Sequence, residues 1–370
     1  MRVVVAPDKF KGSLTAPQAA EAMRLGVLDA DPTAQVRCVP VADGGEGTVD
    51  AYVSAGATPH ECTVAGPLGN PVPARFAIRD GVAVVETAQA CGLALVEHPG
   101  PRTALAADTG GVAQLVLAAV AAGAGRVVLG LGGSASTDGG SGLARGLGAR
   151  LFDGGGRPLP PGGGALVDLD RIDPSGLAVP GIGVQAACDV TAPLLDAAQV
   201  FAAQKGAGPD EIARLDAGLR RWADIVERDV GPRIADVAGG GAAGGLGAGA
   251  IAFLDATVVS GVDVVLDLLG FADAVRDADL IITGEGSFDA QSLTGKAPMG
   301  VARAARSTPV WLIAGRATAT APELARVLAL TDIADPGVAI RDAAPLLRRR
   351  TADAIREFSA GRDSPTTAGS

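Results

Sequence analysis

Aromatic residues are scarce in this 370-residue chain: 8 Phe, 2 Trp and 1 Tyr make up 3% of it. So few rings leave no broad surface for stacking nucleobases. A net charge of −10, a pI near 4.8 and no basic block longer than Arg348–Arg350 likewise exclude a nucleic-acid-binding protein. Histidine is almost absent. His60 and His98 each adjoin a proline and neither sits in a metal-ligand spacing, which argues against a zinc enzyme or a Ser–His–Asp hydrolase. The four cysteines (Cys38, Cys62, Cys91, Cys188) lie far apart with no C-x-x-C, as expected of a reduced, cytoplasmic protein. Long apolar runs are missing too. Val3–Ala6 is stopped by Pro7-Asp8-Lys9, short of the roughly 7–15 apolar residues of a signal-peptide core. The longest uncharged stretch, Val237–Leu254, has 18 residues of which seven are Gly, and reads as a glycine-rich loop entering a helix rather than a membrane span.

What is present is an alternation. Short β-branched runs recur at Val3–Val5, Val36–Val39, Val82–Val85, Val127–Leu131, Leu280–Thr283 and Val310–Ala314. Between them lie stretches with helical spacing: Ala16–Ala30 behind the capping residues Ser13 and Thr15, Ala113–Ala122 behind Thr109, Glu211–Val230, and Pro298–Arg306. Apolar strands bounded by glycine turns and alternating with helices define an α/β protein with mainly parallel sheets. The expected organisation is one domain from both chain ends, residues 1–65 plus 280–370, around an inserted second α/β domain, 66–279. Residues 361–370 read as a disordered tail.

Lysine is the other scarcity. Only Lys9, Lys11, Lys205 and Lys296 occur, against 31 basic residues in total. All four lie in glycine-containing segments: Asp8-Lys9-Phe10-Lys11-Gly12-Ser13, Gln204-Lys205-Gly206 and Thr294-Gly295-Lys296. An ammonium is a compact charge suited to single phosphate oxygens, so these lysines mark places for an anion. Three more glycine-rich turns carry carboxylates or hydroxyls: Asp43-Gly44-Gly45-Glu46-Gly47-Thr48, Gly132-Gly133-Ser134-Ala135-Ser136-Thr137-Asp138-Gly139-Gly140, and Thr283-Gly284-Glu285-Gly286-Ser287-Phe288-Asp289. Glycine lets backbone N–H groups approach a phosphate, and the acids and hydroxyls can hold Mg²⁺. Together with the lysines these fit phosphoryl transfer. No Walker-type P-loop is present. Gly130-x-Gly132-x-x-Ala135 matches the dinucleotide fingerprint only loosely, which keeps a dinucleotide-dependent oxidoreductase of small hydroxy acids as an alternative.

The set resembles the type 1 glycerate kinase family. The resemblance rests on Ala6–Leu14, Ala42–Thr48, Gly132–Gly140, Cys188–Val190 with Gln204–Gly206, and Thr283–Asp289 with Gly295-Lys296, in family order from Val3 to about Gly315. It implies two α/β domains, one flavodoxin-like, with the site between them. It also implies an ATP- and Mg²⁺-dependent kinase that phosphorylates D-glycerate at the 2-hydroxyl to give 2-phosphoglycerate. Small-molecule substrate and nucleotide are then the partners, with no nucleic acid and no membrane, and a homodimer is allowed. On this resemblance Lys9, Lys11 and Lys296 contact phosphates or the glycerate carboxylate, with Asp8, Ser13 and Lys205 beside them. The turn from Gly133 and Ser134 through Thr137 to Gly140 supplies backbone N–H groups. Asp43, Glu46, Glu285 and Asp289 serve Mg²⁺ or the glycerate hydroxyls, Asp138 is a further metal ligand, and Asp189 is the base that accepts the hydroxyl proton. The run after Asp189 departs from the family, with Ala192 in the place of an Asn and several residues missing, so a catalytically silent ligand-binding relative is the other alternative.

Overall fold

The computed structural model of the chain describes residues 1–363. It comprises two compact units, one formed by Met1–Asp43 with the chain from Val262 onward, the other by Gly44–Gly261.

The first unit is built on five parallel strands, Arg2–Pro7, Gln35–Cys38, Leu280–Gly284, Val310–Ala314 and Arg326–Ala329. Numbered in chain order these five lie 2-1-3-4-5 across the sheet, the flavodoxin-like order. Helices cover the sheet, so the central strands are apolar without alternation: Val3, Val4, Val5 and Ala6 are all buried, as are Leu280, Ile281 and Ile282. Helix Ala16–Ala30 starts at Thr15, whose hydroxyl accepts from Gln18 N at 3.3 Å while Gln18 Oε1 accepts from Thr15 N at 2.9 Å. It packs against helix Ala343–Asp363, with Ala19, Met23 and Val27 facing Leu347, Ala354 and Ile355 in one core. That helix runs through residues expected to begin a disordered tail; the remainder of that tail, 364–370, lies outside the described residues.

The second unit has a six-stranded mixed sheet in the order Thr257–Val259, Gly183–Ala187, Arg126–Gly130, Val82–Glu86, Pro71–Arg79, Thr58–Ala65. The first four are parallel; the last two form an antiparallel hairpin on the edge. Trp222 anchors the core from helix Pro209–Asp229, its indole N–H donating to Gly139 O at 2.9 Å. The Val237–Leu254 stretch is a turn, with Ala243, Gly244 and Gly245 left-handed, leading into the body of helix Ala242–Leu254. Among the described residues no helix is long and apolar enough to cross a membrane.

The unit boundaries lie at 43/44 and 261/262, where the sequence pattern suggested 65/66 and 279/280. The reason is the hairpin. Thr58–Ala65 pairs along its length with Pro71–Arg79, and helix Thr48–Ser54 packs on the same sheet through Tyr52, whose hydroxyl donates to Arg79 O at 3.1 Å. Prolines at 59, 71 and 73 are tolerated here because these strands lie at the edge of the sheet.

Glycine is required where backbone crosses backbone. An ideal Cβ on Gly130 would stand 2.3 Å from Gly44 O, and one on Gly44 would stand 2.6 Å from Gly261 Cα. Gly130→Ala is therefore expected to lose about 2–3 kcal/mol of stability, read from a urea midpoint. Gly337→Ala, in open space within helix Pro336–Arg341, is the control and should be neutral or gain about 0.5 kcal/mol.

Candidate active site

In an open parallel sheet, ligands collect outside the carboxyl ends of the strands where the strand order reverses. In the first unit that point lies between the first and third strands, Arg2–Pro7 and Leu280–Gly284. The residues leaving those two ends are Asp8-Lys9 and Glu285. Asp8 N donates to Gly284 O at 2.8 Å, locking the two exits side by side. Phe10 turns back into the core through mutual backbone bonds with Leu14, at 2.8 and 3.0 Å, and Ser13 Oγ donates to Phe10 O at 3.0 Å. This tight turn leaves Lys11 exposed and Lys9 half-buried. Gly286 lies against it, since a Cβ there would meet Lys11 N at 3.0 Å.

Asp8 and Glu285 are each only 6% exposed. Burial pushes the Asp8 carboxyl up to about 7; Lys9 opposes this, and Asp43 and Glu285 add to it. Its carboxylate accepts from Lys9 N at 2.6 Å. Burial also raises Glu285, with Ser292 and Lys296 pulling down and Asp289 and Asp43 pushing up; its Oε1 is buried without a hydrogen-bond partner among the described residues. Asp289 Oδ1 accepts from Gln291 N and Ser292 N at 2.9 and 3.4 Å, and Lys296 stands at the start of helix Ala297–Ala304. Thus Asp8, Lys9, Asp43, Glu285, Asp289 and Lys296 form one electrostatic group.

The second unit repeats the arrangement at the carboxyl ends of its own parallel strands. Asp189 follows Gly183–Ala187, its Oδ1 accepting from Gly261 N at 2.9 Å and Ser260 Oγ at 3.2 Å. Gly132-Gly133-Ser134 follow Arg126–Gly130, and the Gly44–Thr48 loop crosses directly over them: a Cβ on Gly132 would meet Gly45 Cα at 3.1 Å. Glu46 projects from that loop, exposed. Beneath the loop lies a residue the sequence pattern did not single out. Glu86, 3% exposed at the end of strand Val82–Glu86, accepts from Gly47 N at 3.0 Å and Val49 N at 2.7 Å. Its signal was a lone acid closing an apolar strand.

Three expectations change here. Asp138, expected to hold a metal, is fully buried and holds its own turn. Its carboxylate accepts from Thr109 N (3.1 Å), Thr109 Oγ1 (2.8 Å), Gly140 N (3.3 Å), Ser141 Oγ (3.4 Å) and Gly142 N (3.0 Å). The Ser134–Gly140 turn does not offer a continuous row of N–H groups. Ala135 N donates to Cys91 O, Gly139 N to Gly244 O and Gly140 N to Asp138, while Thr137 is buried under Gly163. Within Gly132–Gly140 only Gly132, in part, and Gly133 reach solvent, with Ser134 behind them. Lys205 is 4% exposed and donates to Ser134 Oγ at 3.1 Å and Ser136 O at 2.5 Å, so its contacts are with the turn itself.

Among the described residues no three His, Cys, Asp or Glu side chains are grouped to hold a metal ion by themselves. The partnerless Glu285 oxygen near Asp43 and Asp289 suits the other mode, in which Mg²⁺ takes one or two carboxylates and completes its shell with substrate phosphates and water.

Ammonium groups and glycine turns beside carboxylates, set at the carboxyl ends of parallel strands, define the class as an α/β enzyme of kinase type. The particular family follows from comparison with known proteins. The glycerate kinase family model matches residues 3–359, and the chain belongs to that family. It is 45% identical over 323 residues to a glycerate kinase of Halalkalibacterium halodurans, covering 85% of each chain. It is 43% identical over 329 residues to the glycerate 2-kinase of Escherichia coli K12, covering 86% of each. A crystal structure from Salmonella typhimurium LT2, assigned as glycerate kinase 2, superposes with a TM-score of 0.85 at 39% identity, over 98% of this chain and 99% of that one.

The Asp8 site gives a stability test. Its carboxyl sits near 7 in the folded protein against an ordinary 3.8, so between those pH values the folded state holds a proton that the unfolded chain releases. Its contribution is then greatest below about pH 4 and is lost as pH rises through 7. Asp8→Asn should melt a few degrees above the wild type at pH 8, with the advantage gone at pH 4. Thermal melts at both pH values check it; an equal shift at both would remove the buried, proton-holding carboxylate.

Proposed function

We propose that this enzyme transfers the γ-phosphoryl group of ATP to the 2-hydroxyl of D-glycerate, giving 2-phosphoglycerate and ADP. The observation that carries this reading is the pairing of Asp8-Lys9 with Glu285 at the reversal point of the first sheet, in a chain 43% identical to a glycerate 2-kinase. Glycerate and ATP are anions, and a protein of charge −10 offers them no long-range attraction, so local cations must supply it.

Lys9 and Lys296 neutralise the transferring phosphoryl oxygens, with Lys11, exposed on the same turn, reaching the nucleotide phosphates or the glycerate carboxylate. Gly132, Gly133 and Ser134 approach the phosphates by backbone, as glycine permits. The glycerate hydroxyls are bound by Asp43 and Glu46. Asp189, its carboxylate oriented by Ser260 and Gly261, accepts the proton of the 2-hydroxyl as that oxygen forms its bond to phosphorus and the bond to ADP breaks. Glu285 and Asp289 would hold Mg²⁺, which would supply charge neutralisation on the phosphates. The four cysteines are all unpaired, in keeping with a cytoplasmic enzyme.

A coupled ADP-release assay with D-glycerate, followed by ³¹P NMR of the product, tests the reading. A 3-phosphoglycerate product, or no turnover, would overturn it. Lys296→Ala and Asp189→Asn should each lower kcat by about 10²–10⁴-fold with an unchanged circular dichroism spectrum. Near-normal turnover in either variant removes that residue from the mechanism.

A further inference from the structure

Lys205 is the one lysine that does not stand at an exposed or half-exposed position. It ends a short helical turn, Ala203–Lys205, and Gly206 behind it has a left-handed φ of 94°. Its Nζ donates to two points of the turn after strand Arg126–Gly130, the Ser134 hydroxyl and the Ser136 carbonyl. Both lie immediately past the only partly exposed stretch of that turn, Gly132-Gly133. The opposite side of the turn is held by different bonds: Leu93 N donates to Gly133 O at 2.7 Å and Ala135 N to Cys91 O at 2.7 Å. Without the ammonium, Ser134 Oγ and Ser136 O would lose their donor, and the residues after Gly133 would be held from one face alone, by the bonds to Cys91 and Leu93.

We propose that Lys205 is a positioning residue, whose buried ammonium clamps Ser134 and Ser136 so that Gly132-Gly133-Ser134 is held in one conformation for the phosphoryl groups. The inference rests on the reading of that stretch as phosphate-receiving. It makes Lys205 act through the turn and not on the substrate. The titratable groups facing the ammonium are Cys91, whose thiol burial pushes up to about 12, and Asp138, whose carboxylate is taken up by its own five donors. Burial lowers Lys205 itself to about 8; the Cys91 thiol is uncharged in that range, which leaves Asp138 as the acid that opposes the shift. Loss of its proton above that pH leaves two N–H groups for the two acceptors but removes the charge that strengthens both bonds.

The test uses Lys205→Met, of similar volume and no charge, and Lys205→Arg, which stays charged at all working pH values. In amide hydrogen exchange without ligand, the peptide spanning 132–138 in Lys205→Met should exchange about tenfold faster, while the core strands are unchanged. In turnover with glycerate, KM for ATP should rise about tenfold, more than kcat falls. The wild type should lose kcat/KM as pH rises through 8, and this alkaline limb should be absent from both variants. Unchanged exchange at 132–138, or an alkaline limb retained in Lys205→Met, overturns the proposal. Should Lys205→Met fail to fold, Ser134→Ala deletes one accepting hydroxyl alone, and the same peptide must again exchange faster. If the wild type itself releases no ADP with glycerate, the functional reading fails, and loop exchange by itself decides the clamp.

Discussion

Burying a carboxylate at the end of a parallel strand, or in the turn beyond it, is costly, and the rest of this structure is arranged around four such groups. Asp8, Glu86, Asp138 and Glu285 are each 6% exposed or less. They differ in what they are given in return. Asp138 receives five donors and Glu86 two backbone N–H groups with Gln89 as a third partner, at 3.4 Å. Among the described residues Asp8 receives a single N–H, and one oxygen of Glu285 has no donor. Hydrogen bonds to the charged form offset desolvation. The first pair are therefore struts that shape turns, and the second pair are left short of donors at the strand ends. That division, more than proximity to glycine, separates the acids that hold a turn from those that the proposed mechanism draws on.

Parallel topology explains why Asp8 and Glu285 meet. Every strand of the first sheet delivers its carboxyl end to the same edge, and only between the first and third strands do the connections leave in opposite directions. Residues 8 and 285 are far apart in the chain yet emerge as neighbours because Pro7 lies opposite Gly284 in register. The glycines have a matching role. Gly284 and Gly315 allow close backbone crossings behind this edge, a Cβ on Gly315 falling 2.4 Å from Gly286 O. At these positions glycine is thus a packing requirement of loops crossing over strand ends.

Much of this was legible in the sequence. The apolar strands, the helices Ala16–Ala30 and Pro209–Asp229, and the pairing of lysines with acids after strands all follow from periodicity and local chemistry. The edge hairpin Thr58–Ala65 with Pro71–Arg79 was not, because its prolines imitate a linker and its outward face is polar. Asp138 and Thr137 sat in a turn with the right composition for a ligand loop. Composition does not say whether a carboxylate faces outward or into its own turn; that depends on Thr109, whose N–H and hydroxyl come from a segment 29 residues away. Glu86 was invisible for the same reason: its partners at 47 and 49 belong to a loop that reaches it only in three dimensions.

Lysine scarcity identified positions but not directions. Lys9, Lys11 and Lys296 keep some exposure beside carboxylates, whereas Lys205 is turned inward against a hydroxyl and a carbonyl. The inward case shows why arginine would not serve equally. A guanidinium presents a planar fork suited to bidentate oxyanions, and it would have to bury a larger group against two single oxygens on separate residues. An ammonium directs three donors from one point and fits two acceptors in a closed space. Its burial also lowers its proton affinity, which a guanidinium would not permit in this range. The residue chosen to grip the turn is thus also one whose grip can weaken with pH, and the requirement of a compact cation at a buried corner accounts for both properties.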